Sequence, residues 1–255
     1  MKLITENVNF LRGKKENTNI YMLVFFNYDL VSCFYNRKQV LVKNSIILIL
    51  LFFISHSQFA QQVGILKYKG GGDWYANPTA IPNLIEFTNL QIKSSIDKEP
   101  QTVSLDDNAI FNYPIIFMTG HGNVFFSEED ITILRNYLTS GGFIHISDNY
   151  GLDKFIRREL KKIFPLIELQ EIPANHPIYH QTFSFSDGLP KIHEHDKKAP
   201  QGLGIFYNER LVVFYDYESD LSDGWEDAAV HNDPKEIREK ALKMGANIIE
   251  YAFKH

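Results

Sequence analysis

The sequence predicts an α/β domain: a three-layer sandwich whose central sheet is mostly parallel with one antiparallel edge. A continuous apolar run at residues 115–119 has the character of a strand buried on both faces, residues 143–147 read as another buried strand, and amphipathic segments alternate with the apolar runs at βα spacing. Near the C-terminus two more apolar runs, 203–207 and 211–217, flank Asn208-Glu209-Arg210, which reads as a short hairpin turn and supplies the antiparallel edge.

Residues 63–68 read as the first strand, broken by Gly70-Gly71-Gly72. Asn77-Pro78 then supplies an N-cap and first-turn proline for a helix with Ile81, Leu84 and Ile85 on one face. Residues 103–105 make a second, short strand, and Pro114 stands at the tolerated first position of the next. Ser127 and Asp130 form a capping box for a helix that turns Ile131, Leu134 and Leu138 inward and stops at Gly141-Gly142. Phe155, Ile156, Leu160 and Ile163 mark another helix, ended by Pro165, and 166–172 reads as a further strand. In the final helix Asp233 is the expected cap, Pro234 the first-turn residue, and Ile237, Ala241, Met244 and Ile248 the buried stripe.

Composition narrows the function classes. With 255 residues, 44% hydrophobic and 22% charged, the chain is an ordinary globular one, and no internal repeat or linker interrupts residues 61–255, which read as a single domain. The first 60 residues carry seven of the 26 Lys/Arg and three of the 31 Asp/Glu, so the remainder stands at −9 with His neutral. An acidic domain lacks the footprint that phosphate backbones require, and nucleic acid is excluded as the expected partner. The single cysteine, Cys33, lies upstream of the domain, which removes disulfides, thiolate zinc sites, cysteine nucleophiles and a lipoprotein anchor from consideration.

Lys43 precedes nine consecutive apolar residues, 46–54, and a short polar stretch. This is a signal-peptide layout over 42–60, too short for the ~20 residues of a bilayer span. Ser55-His56-Ser57 fits the small-x-small cleavage rule better than Ala60, and the mature chain is expected to begin between Gln58 and Gln61, in the periplasm or outside the cell. An uncleaved signal anchor in the inner membrane is the alternative. Residues 1–41 read as a misannotated extension, with translation expected to start at Leu41 or Val42.

The segments Lys67-Tyr68-Lys69-Gly70-Gly71-Gly72-Asp73-Trp74-Tyr75, Thr119-Gly120-His121-Gly122-Asn123, His176-Pro177-Ile178-Tyr179-His180, and residues 189–196 resemble the bacterial family of domain of unknown function 4159. Glu218-Ser219-Asp220, Gly224-Trp225-Glu226-Asp227 and His231-Asn232-Asp233-Pro234 extend the resemblance over the whole domain. It implies a flavodoxin-like fold, distantly similar to class I glutamine amidotransferase-like domains, and envelope protein partners. Amidotransferase chemistry does not follow, because the turn that would carry the nucleophilic cysteine reads Asp148-Asn149-Tyr150.

Ligands of open parallel sheets bind outside the carboxyl ends of the strands, and three polar loops are expected there. They contribute Gly71, Gly72, Asp73, Trp74 and Asn77; His121 and Asn123; and Asp148, Asn149 and Tyr150. The triple glycine lacks phosphate-loop spacing, and glycines, Asp and Asn also serve as plain turn residues. Six of nine histidines fall between His121 and His195, which makes a divalent metal a candidate cofactor and His193 with His195, on one face of an extended chain, the candidate ligands. His176 and His180 would share a helical face, and His145, mid-strand, reads as a satisfied core histidine. Seven carboxylates between Asp216 and Asp233 without Lys or Arg read as a solvated acidic loop, since Leu221 breaks the EF-hand pattern. Trp74 and Trp225 either stand exposed to stack on a sugar ring or close the core.

Two functions fit. One is an exported envelope domain that binds a small molecule or glycan fragment, or scaffolds envelope proteins, with its polar cleft at the strand ends. The other is a hydrolase with Asp73 or Asp148 as general base, His121 polarising the substrate and a metal assisting; no G-x-S-x-G nucleophile motif supports it.

Overall fold

A computed structural model describes residues 61–106, 108–195 and 197–255, all within one compact unit. The expected extension at 1–41 and signal peptide at 42–60 lie outside the described residues. The sheet has seven strands: β1 (Val63–Leu66), β2 (Gln101–Val103), β3 (Ile115–Met118), β4 (Phe143–Ser147), β5 (Gln170–Glu171), β6 (Gln201–Tyr207) and β7 (Arg210–Tyr217). Their spatial order is β2-β1-β3-β4-β7-β6-β5. The first five in that order are parallel, while β6 runs antiparallel to both β7 and β5. The parallel part has the flavodoxin-type order 2-1-3-4-5 with β7 as its fifth strand, so the expected sandwich and antiparallel edge are both present.

Helices α1 (Ala80–Ile92) and α5 (Lys235–Lys254) cover one face, α2 (Glu128–Thr139) and α3 (Asp153–Ile163) the other; α4 (Ala228–His231) is a single turn before α5. Strand residues alternate between the two layers, as the twofold strand period requires: Ile115 and Phe117 pack toward α1 and α5, Ile116 and Met118 toward α2 and α3. The run at β3 is therefore apolar on both sides, whereas β4 is buried on both sides but carries His145 and Ser147 on one of them. No helix among the described residues is long and apolar enough to cross a membrane.

The capping box at α2 is present in both directions, Ser127 Oγ accepting from Asp130 N–H and Asp130 accepting from Ser127 N–H. Asn208 and Glu209 make the β6–β7 turn with positive φ of 48° and 66°, the primed geometry that matches strand twist. Three local readings need correction. Only Gln170–Glu171 of the expected strand at 166–172 pairs, because this edge segment meets β6 alone and Leu166 is left in solvent. Asn77 does not cap α1: it sits in the left-handed region at φ 57°, and the N–H groups of Thr79 and Ala80 bond to Glu226 Oε1 at 3.0 and 3.1 Å. Nor does Asp233 cap α5, which starts after Pro234; its carboxylate holds His193 instead.

Trp225 closes the core. Its indole is wholly buried, donates to Ala241 O at 2.8 Å, and meets Phe117 edge-on at 5.9 Å, which removes it as an exposed sugar platform. A side chain of this size contributes roughly 3–5 kcal/mol relative to alanine.

Candidate functional site

After β1 the chain crosses through α1 to β2 on one side, whereas β3 lies on the other side of β1 and leads to α2 on the opposite face. The connections thus leave β1 and β3 toward opposite faces, and the carboxyl ends of these two strands are the position where open α/β sheets bind ligands. A pocket of about 180 Å³ opens there. Its apolar wall includes Ile65, Trp74, Ile81, Phe117 and Trp225, and its polar wall Asn77, Thr119, His145, Ser147 and Ser222.

Most of the polar wall is satisfied internally. Asn77 Nδ2 donates to Ser222 Oγ at 2.8 Å and to Asp223 Oδ1 at 2.6 Å, while its Oδ1 accepts from Asn149 Nδ2 at 3.0 Å. Asn149 Oδ1 in turn accepts from Thr119 and Ser222 hydroxyls at 3.1 and 2.9 Å. Ser147 donates to Asp216 Oδ1 at 3.1 Å, and Asp148 N–H reaches the same oxygen at 3.2 Å.

His145 is the exception. Its Nε2 lies 2.8 Å from Asp216 Oδ2, both side chains wholly buried, yet Nδ1 has no partner. The core histidine expected at this position is therefore only half satisfied. Burial holds the imidazole down at about 3 and pushes Asp216 well above the carboxylate range, so the ring is neutral. Nδ1 then either donates or accepts according to which partner carries the proton.

The three loops converge, though not on one group of side chains. The first two zip together, with Gly72 N–H donating to Asn123 O at 2.9 Å and Phe125 N–H to Lys69 O at 2.8 Å. A Cβ on Gly72 would stand 2.8 Å from both Asn123 O and His121 O, so this glycine admits protein backbone rather than a ligand; Gly71, at φ 90° with open space, serves the turn. Asp73 and His121 meet on the outside, Nδ1 2.9 Å from Oδ2, and His121 N–H also bonds to Asp73. Partial burial pushes Asp73 up, but the bonds from His121 outweigh it and hold the carboxyl below its usual range, which makes it a weak general base.

Asp148 does not join that pair. It is 4% exposed, beside Tyr215, Asp153 and Glu218, and burial raises it to about 6. Asn123 has both amide ends engaged, donating to Gly70 O at 2.9 Å and accepting from Arg158 at 3.0 Å. Tyr150 is exposed and stacks on His195 with ring centres 4.8 Å apart. Trp74 is half-buried in the pocket wall, with Lys67 Nζ 5.6 Å from its ring.

The acidic stretch is not solvated. Glu218, Asp220 and Glu226 are buried, with cationic or N–H partners from distant segments: Lys191 and Lys198 for Glu218, His195 for Asp220, the start of α1 for Glu226. His193 and His195 also diverge. His195 goes to Asp220, which burial raises to about 7, whereas His193 lies between Asp223 and Asp233, whose bonds lift it to about 9. Asp223 is held down despite its burial, by His193 and Asn77. Nor do His176 and His180 share a helical face: His176 accepts from Ile178 N–H, and His180 bonds Ser184 and Ala174 O. His193, Asp223 and His231 each offer one ligand atom within 4.8 Å of the others.

Sequence reasoning missed His145 with Asp216, and Ser147 and Ser222. The available signal was a histidine in the middle of a buried strand, 71 residues from an aspartate next to the end of another.

The described domain and the matched region coincide. The chain belongs to the DUF4159 family. Its domain of unknown function spans residues 62–253, from the first strand to the last helix. No curated protein matches this DUF4159 chain.

Proposed function

We propose that this chain is an exported envelope domain that holds a small ligand in the pocket at the β1–β3 crevice. The observation that carries the reading is His145 Nδ1, the one unpartnered buried side-chain atom among the pocket's described wall residues. An unsatisfied buried polar group costs about 1–3 kcal/mol, which a ligand's hydrogen bond would offset. Trp74, half-buried in the same wall, offers apolar surface in this pocket, and about 180 Å³ suits one sugar ring or a group of similar size. The apolar run at 46–54 supports export.

Ligand-observed NMR on the purified protein with a panel of monosaccharides, amino sugars and small aromatic acids tests the pocket. Ala76→Trp, at the wall, should fill it and abolish binding while leaving the circular dichroism spectrum unchanged. Binding that persists in this variant removes the pocket as the site. Turnover of esters, phosphates or glycosides that the same variant abolishes would favour the hydrolase over the binding domain.

A further inference from the structure

We infer that His193, Asp223 and His231 form a binding site for a first-row divalent metal of zinc type, a proposal independent of the ligand pocket. The three residues come from separate segments: the loop before β6, the turn after β7, and the end of α4. His193 Nδ1 stands 3.1 Å from Asp223 Oδ2, and His231 Nε2 stands 3.9 Å from the same oxygen. Ligand atoms at 2.0–2.1 Å from a tetrahedral zinc are about 3.3 Å apart, so small side-chain rotations close the set around an ion.

The surroundings favour coordination over a plain ion pair. His193 Nε2 lies 2.8 and 2.9 Å from the two oxygens of Asp233. Once a metal displaces the Nδ1 proton, donation of Nε2–H to that carboxylate leaves Nδ1 as the ligating nitrogen, the arrangement by which outer carboxylates orient metal-binding histidines. Asn77 Nδ2 fixes Asp223 Oδ1 at 2.6 Å and leaves Oδ2 turned to the two imidazoles. Both inner ligands are thus held from behind. His231 Nε2 is too far from Asp223 for a hydrogen bond and has no ion-pair role at that distance beyond weak attraction. Its ring packs against that of His193 with centres 5.0 Å apart, which holds Nε2 beside the same carboxylate oxygen.

Two imidazoles and one carboxylate select zinc, cobalt or nickel over calcium and magnesium, which favour all-oxygen shells. His231 is exposed, so the fourth position opens to solvent.

Untagged full-length protein, stripped with chelator, is titrated with Zn²⁺ by calorimetry at neutral pH. One equivalent should bind with Kd tighter than about 10 µM. His231→Ala, a surface change that spares the core, should weaken binding more than tenfold with an unchanged circular dichroism spectrum. Asp233→Asn should retain one equivalent with affinity reduced about 10–100-fold. His180→Ala, whose ring bonds elsewhere, should match wild type. Wild-type binding weaker than that limit, or His231→Ala within tenfold of wild type, overturns the site.

Discussion

Asp148 offers the most direct measurement of what the strand-end loops cost the fold. Its side chain is 4% exposed, Oδ1 has no partner, and Asp153 and Glu218 add like charge, so burial first and repulsion second raise its midpoint from 3.8 to about 6. A carboxyl that ionises later in the folded chain than in the unfolded one destabilises the fold as pH rises. The loss begins near 3.8 and is complete above about 6. A shift of that size corresponds to about 3 kcal/mol at neutral pH. Asp148→Asn stays neutral throughout, and its amide can donate toward Asp153 or Glu218. The stability difference between variant and wild type, from urea unfolding at intervals between pH 4 and 8, should therefore grow in favour of Asn up to about pH 6.5 and then level. A difference that stays constant across that range would show that Asp148 is not held protonated by its surroundings, and the electrostatic account of this loop would be wrong.

Glu226 gives a second test, since it caps α1 from 146 residues away. Glu226→Ala should lower unfolding stability by about 2 kcal/mol and Glu226→Gln, which keeps an acceptor, by less than half as much; equal losses would mean that the bonds to Thr79 and Ala80 contribute nothing. Export is checked by fractionation with N-terminal sequencing: a chain beginning between Gln58 and Gln61 outside the cytoplasm is expected, and an uncleaved chain in the inner membrane would favour the signal anchor.

The elements that proved legible are those whose signals are local. β3 is a continuous apolar run that follows Pro114, β4 is a short, mostly apolar strand that follows Gly141-Gly142, α2 carries its capping box within four residues, and the Asn208-Glu209 turn needs only its own backbone. What failed were assignments in which a local pattern competes with a distant partner. Asn77 and Asp233 look like caps beside a proline, yet each turns away from its helix, because Ser222 and Asp223 in one case and His193 in the other offer buried polar groups. The acidic stretch after β7 looked solvated because no Lys or Arg lies within it; its partners Lys191, His193 and His195 are brought from the preceding segment by the fold.

By itself the sequence determined the fold class and the polar loops at the strand ends, since hydrophobic period and turn chemistry act over a few residues. Only the tertiary structure decided which polar residues meet. β7 lies beside β4, which pairs Ser147 with Asp216 in register and brings Asp216 against His145, and nothing within either strand encodes that neighbour. The pocket, the half-satisfied histidine and the His193–Asp223–His231 group all depend on that strand order, because side-chain pairing across the sheet is set by the packing of whole elements, which no short window of residues contains.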